Sequence, residues 1–211
     1  IVEHDETPVL YVLPASASEV VRDQSTGCDV IGVDDLAQGV TQRLNGQRRP
    51  ARRIALVGRE IMPAVLFEEM VEAIPGTFEV HDDLLKEVAR RKSSWEIERI
   101  ERAQSMADRG FAVLHEVARP GLREFELAAE LERALRLAGA SDNFGLLAAS
   151  QHNQAIRLPT ERALEPGDII IAEITPECDG YFAQLCRTIV LGPVSDTLAK
   201  KFELLWTSFE R

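Results

Sequence analysis

Cysteine is scarce in this chain. Only Cys28, Cys178 and Cys186 occur in 211 residues. They form no CxxC pair, and an odd number does not make a disulfide framework, so they read as reduced thiols of a cytoplasmic protein. No apolar run approaches the roughly 20 residues that span a bilayer. No basic start followed by an apolar stretch marks a secretory leader. Positive charge is also in deficit, with 24 Lys and Arg against 35 Asp and Glu, a formal net charge of -11. Such a chain repels phosphate backbones and anionic lipid, so neither nucleic acid nor a membrane is an expected partner. The one basic cluster, Arg48-Arg49-Pro50-Ala51-Arg52-Arg53, is short and reads as a solvated loop before a strand.

What is present is an ordinary globular composition. Hydrophobic residues make up 45% and charged residues 28%, enough for one large domain or two small ones with cores of their own. The chain opens at Ile1 without Met and stops at Arg211 inside a helical pattern, so flanking sequence is expected at both ends.

Residues 1–85 alternate between strand-like and helix-like segments. Strands are expected at Pro8–Leu13, Asp29–Val33, Arg53–Gly58 and Thr77–Val80, with helices at Ser16–Asp23, Asp34–Leu44 and Met62–Ile74, the last ended by Pro75-Gly76. This alternation predicts a small layered α/β domain. Lys86–Lys92 is basic and helix-prone and reads as a link. Ser93 and Glu96 then have capping-box spacing before Ile100, Ala103, Ala107, Phe111, Leu114 and Ala118, which recur every three or four residues. Pro120-Gly121 ends that helix. A second helix is expected over Glu124–Leu137, with Gly139 closing it. The period then changes to strands at Phe144–Ala149, Ile169–Ile174 and Tyr181–Leu191. Cys178-Asp179-Gly180 supplies turn chemistry for a hairpin between the last two. Another helix starts near Thr197.

Glu173 lies in the middle of an apolar strand, where a carboxylate without a partner costs several kcal/mol. A hairpin pivot between Cys178 and Asp179 sets Gln184 directly across from Glu173 on one face. The pair then forms the floor of a site. Alternatively, Glu173 is half of a structural ion pair with Arg157 or Arg187, and the sequence favours neither reading.

These residues carry a resemblance. Gly167-Asp168 leading to Glu173, then Gly180-Tyr181 and Arg187-Thr188, is similar to the core of the creatinase/aminopeptidase P/prolidase family. Arg91-Lys92-Ser93 before Glu96, Arg119-Pro120-Gly121 before Glu124, and Pro159-Thr160-Glu161-Arg162 resemble its upstream segments. The resemblance is strong over 85–211 and weak over 1–85. It implies a small N-terminal α/β domain at 1–85 and, at 86–211, the first half of an α+β pita-bread catalytic domain. The other half of that domain brings a histidine and two glutamates to a metal site. The resemblance also implies a homodimer acting on a small-molecule substrate.

The chain departs from the family where two aspartates hold a pair of divalent cations about 3.5–4 Å apart. Glu173 and Gln184 stand at those positions, so no dinuclear centre and no cofactor are expected. The family's proton-handling histidine aligns with Ile156, beside Arg157. Ser150-Gln151-His152-Asn153 resembles its Ser-Gly-x-Asn with Gln151 in place of glycine, and His152 is a substitute within the altered loop or a bystander. Creatinase works without metal in this family, and the chain resembles that branch. The expectation is therefore a metal-independent enzyme cleaving a C–N or similar bond in a small amino-acid-like or amidine-like molecule. Glu173, Gln184 and His152 would be catalytic, and Arg157, Arg187 and Tyr181 would bind substrate. A non-catalytic binding module and a metal-dependent Xaa-Pro peptidase with unusual ligands remain open. His4, His81 and His115 read as bystanders, and Cys186 as strand packing.

Overall fold

The computed structural model describes residues 6–46, 53–74, 76–153 and 155–210. His4, Pro75 and the basic cluster other than Arg53 lie outside them. The chain forms two compact units, Ile1–Arg91 and Lys92–Arg211. The division falls past the expected one at residue 85, because Lys86 belongs to a helix of the first unit rather than to a link.

In the first unit the order is β1 (Val9–Val12), α1 (Ser18–Gln24), β2 (Asp29–Gly32), α2 (Leu36–Asn45), β3 (Arg53–Leu56), α3 (Ala64–Ala73), β4 (Thr77–Val80) and α4 (Asp83–Ala89). All seven expected elements form, most shortened by one or two residues at an end. The described strands pair in parallel as two separate ribbons, β1 with β2 and β3 with β4. Asp35 begins α2 by accepting the Gln38 N–H at 2.8 Å. Val40, Leu44 and Ile74 are buried with Tyr11, Ile54 and Phe78 packed on them.

The second unit opens with α5 (Ser94–Val117). The Ser93 hydroxyl accepts the Glu96 N–H at 3.3 Å and the Glu96 carboxylate accepts the Ser93 N–H at 2.6 Å, the expected capping box. Next come α6 (Glu124–Leu137), β5 (Asn143–Ser150), β6 (Ile169–Cys178), β7 (Tyr181–Phe182), β8 (Leu185–Val190) and α7 (Asp196–Phe209). β6 is central, antiparallel to β5 on one side and to β7 and β8 on the other. Gly110 lets α5 approach α6, since a Cβ there would sit 2.8 Å from Leu131 Cδ1 and 2.9 Å from Leu135 Cδ2.

Burial along β6 alternates without a break from Ile169 to Cys178. Ile170, Ala172 and Ile174 face α5 and α6 and join the core with Leu114, Leu127 and Leu135. Ile171, Glu173 and Thr175 face the other way and are only half-buried. Their cross-strand partners share that second face: Ala148 and Thr188 beside Ile171, Leu146 and Cys186 beside Glu173. Phe144, opposite Thr175, is 57% exposed on it.

Candidate active site on the open face of the hairpin

The hairpin turns at Asp179-Gly180. Both have positive φ, 51° and 84°, as a two-residue type I′ turn requires. Its tip is fastened to α5: Asp179 meets Arg99 at 3.0 Å, and the Tyr181 hydroxyl donates to Glu96 at 3.1 Å. The Trp95 and Tyr181 rings meet edge to face at 5.7 Å.

This turn lies one residue beyond the expected pivot, so the register is displaced by two. Glu173 is opposite Cys186, not Gln184. A shift of two keeps the face, whereas a shift of one would have reversed it. Gln184 therefore reaches Glu173 diagonally, and its amide Nε2 donates directly to Glu173 Oε1. The pair points away from the helices, with Glu173 half-buried and Gln184 exposed.

The other expected site residues part company here. Arg187 is opposite Ala172, which puts it on the helix side of the sheet, and its guanidinium donates to the Cys186 carbonyl at 2.9 Å. Tyr181 is opposite Cys178, also on the helix side, where Glu96 engages it. Arg157 donates to Glu124 at 3.0 Å, because a buried carboxylate holds the nearest cation. Neither arginine pairs with Glu173, so the ion-pair alternative is corrected. His152 occupies an exposed turn after β5. Cys186 is exposed on the Glu173 face, not packed in the core. Desolvation and then the Glu173 carboxylate push its thiol pKa up, which makes it a poor nucleophile.

Two carboxylates that the sequence offers as family motif residues, but not as site candidates, are fully buried, Glu124 and Asp168. Asp168 takes both arms of Arg162, at 2.6 and 3.0 Å, and the Glu165 N–H at 2.8 Å. Glu124 accepts from the Ala149 N–H at 2.8 Å, the Thr160 N–H at 2.9 Å, the Thr160 hydroxyl at 2.7 Å and Arg157. Burial pushes the Glu124 carboxyl up, but the Thr160 hydroxyl, the two amides and Arg157 together hold it below its ordinary value. Its signal was in the sequence: Glu124, Leu127, Leu131 and Leu135 form one stripe at helical spacing, headed by an acid.

The model of metallopeptidase family M24 matches residues 98–211, more than half of the chain. The chain belongs to that family. A creatinase from Bacillus is 30% identical over 163 residues, 70% of this chain and 38% of that one. A Xaa-Pro dipeptidase from Pyrococcus furiosus is 28% identical over 137 residues, 64% of this chain and 39% of that one. Among solved structures, an X-Pro aminopeptidase from Thermotoga maritima superposes with a TM-score of 0.84 at 26% identity, covering 98% of this chain and 59% of that one. The chain thus spans about two fifths of the length of those curated relatives. Its architecture is a small α/β domain and part of a pita-bread domain, as expected.

An M24 protein of the metallopeptidase kind holds metal on acidic side chains, and the M24 pair here does not fit that demand. A cation needs lone pairs converging from both sides of the gap, but Gln184 fills it with an N–H donor. Turning the amide over offers only a neutral oxygen. Among the described residues, no three His, Cys, Asp or Glu side chains converge as a metal group. No helix of the described residues is long and apolar enough to cross a membrane.

Proposed function

We propose that the protein is a hydrolase of the M24 family that cleaves a C–N bond in a small amino-acid-like or amidine-like molecule without a dinuclear metal centre. The observation carrying this reading is the hydrogen bond from Gln184 to Glu173 on the open face of the hairpin. Glu173 Oε1 is held by the amide, which fixes the carboxylate and leaves Oε2 for substrate or water. In the proposed step Glu173 takes a proton from the attacking water as its oxygen bonds to the substrate carbon. It returns the proton to the departing nitrogen as the C–N bond breaks. Acid–base help of this kind supplies about 10²–10⁴-fold. The carbonyl oxygen of the Gln184 amide, a second acceptor, orients the substrate's N–H groups. His152 is the proposed contact for an anionic group, since Arg157 and Arg187 turn to the helix side. We also place the protein in the cytoplasm as a homodimer, on the strength of its acidic, cysteine-poor composition and its family.

The test is turnover by the full-length protein, stripped with chelator, on a panel of Xaa-Pro dipeptides and amidino- and ureido-amino acids. Turnover that survives chelation is expected. If chelation abolishes it and stoichiometric metal restores it, the proposal fails in favour of a metal-dependent Xaa-Pro peptidase, the reading favoured by similarity to the Pyrococcus dipeptidase. Binding without turnover on the whole panel identifies a non-catalytic module.

A further inference from the structure

The two buried carboxylates are wired differently. Among the described residues, the Asp168 carboxylate bonds within the turn from Arg162 to Asp168 itself. Glu124, the first residue of α6, gathers groups 25 to 36 residues away from it: Ala149 near the end of β5, then Arg157 and Thr160. Both carboxylate oxygens are used, Oε1 by Ala149 and Arg157 and Oε2 by Thr160. The stretch between those anchors carries His152 and Asn153.

That stretch reaches the open face of the sheet. Ala148 lies on this face, since it is opposite Ile171, and its exposure is 0% although Leu146 and Ile171 beside it are only half-buried. Asn153 Nδ2 donates to the Ala148 carbonyl at 2.7 Å, so the residues after β5 fold back against it. The Leu147 N–H donates to the Arg157 carbonyl at 2.9 Å, so the returning chain runs along the free edge of β5. Residues 150–153 therefore fold over the same face of the sheet as Glu173, against Ala148, whose cross-strand partner Ile171 is two residues from Glu173 along β6, and Glu124 clasps the described residues on either side.

We infer that Glu124 is a positioning residue: from the buried side of the sheet it sets the pose of residues 149–153 and 155–160, and through them of Asn153, which packs against Ala148 on the Glu173 face, and of His152 next to it in the chain. The catalytic part of this inference rests on the proposed function; the clasp itself does not. A carboxylate is required because four donors converge on two oxygens. A glutamine has one acceptor oxygen, and its NH₂ would stand against donors that need an acceptor. Leaving buried donors unpaired is costly, and the cost falls where those donors are.

The experiment uses the full-length protein and the variants Glu124→Gln, Glu124→Asp and Asp168→Asn, followed by hydrogen exchange read peptide by peptide. Glu124→Gln is expected to speed exchange across 150–160 by about tenfold or more, with the peptides of β6 and α5 unchanged. Glu124→Asp, which keeps the charge, recovers part of the protection. Asp168→Asn removes the neighbouring buried charge while keeping all four donors on the Glu124 carboxylate, and leaves 150–160 as in the parent. Should Glu124→Gln not fold, Thr160→Val removes the hydroxyl's bond to Oε2, together with its weaker acceptance of the Arg162 N–H, and is expected to raise exchange in the same stretch severalfold. On the substrate that the panel identifies, Glu124→Gln lowers kcat more than it raises KM. Exchange that rises evenly over the second unit, or not at all in 150–160, overturns the inference. Chelation-sensitive turnover would overturn the proposed chemistry while leaving the exchange pattern standing, so the two failures are told apart.

Discussion

Gln184→Glu tests the contact on which the functional reading depends. The change is isosteric and converts the donor that touches Glu173 into a second carboxylate. Two unit charges about 4 Å apart repel by about 1 kcal/mol in water and about 4 kcal/mol at an effective dielectric constant near 20. Gln184 is exposed and Glu173 half-buried, so solvent screening keeps the penalty near the low end, about 1–2 kcal/mol. That corresponds to raising one carboxyl by about one pKa unit. The sign follows from proton counts. Above the ordinary carboxylate range the folded variant retains a proton that the unfolded chain has released, so folding stability falls as pH rises through the raised value. The variant should match the parent near pH 4 and lose about 1–2 kcal/mol by pH 7, a drop of roughly 2–8 °C in Tm for a chain of this size. Thermal unfolding at pH 4, 5.5 and 7, with and without millimolar Mn²⁺, measures this. The cation should return more stability to the variant than to the parent. Equal destabilisation at every pH, with no differential response to the cation, would show that the two side chains do not meet.

Other outcomes follow from the packing and charges described. Asp168→Ala strands Arg162 and should cost about 3 kcal/mol by urea unfolding, the low end for a broken buried pair because Arg162 is 29% exposed; under 1 kcal/mol would contradict the pairing. Gly110→Ala gains helix propensity but drives a methyl into Leu131 and Leu135, and a net loss of about 1–3 kcal/mol is expected, whereas a gain would mean that the helices have room to part. Iodoacetamide on the native protein should label exposed Cys186 before buried Cys178, at a rate that keeps climbing above the ordinary thiol value of about 8.5; a plateau near neutral pH would refute the raised thiol. The depressed Glu124 carboxyl adds stability above about pH 4.3, the ordinary glutamate value, and that stability is lost as pH falls through the folded value. Exchange in 150–160 should therefore rise in that acid range in the parent and not in Glu124→Gln.

Local signals were the legible ones. The Ser93–Glu96 box, the Glu124–Leu137 stripe and the Thr77–Val80 strand depend on neighbours within a turn or two, and all form. The facing of Glu173 and Gln184 was also readable, because strand parity survives a displacement of two. The register itself was not: whether the turn centres on Cys178-Asp179 or Asp179-Gly180 depends on which residues adopt positive φ, and Asp179 does so with Arg99 gripping its side chain. The arginines were misjudged for the same kind of reason. Arg157 and Arg187 are near Glu173 in sequence pattern but separated from it by the sheet, and only the partner strand reveals the side. Chain spacing likewise hides Glu124's partners, which are 25 to 36 residues away.

The unbroken alternation along β6 has an evolutionary consequence. Every second residue answers to the helices and must stay apolar for the domain to fold, while the residues between answer only to what they meet on the opposite side. Selection can therefore rewrite one set without consulting the other. Exchanging the side chains at Glu173 and Gln184 leaves the buried face of the strand untouched, so under the proposed function this hairpin is a place where a lineage can change its chemistry without rebuilding its core.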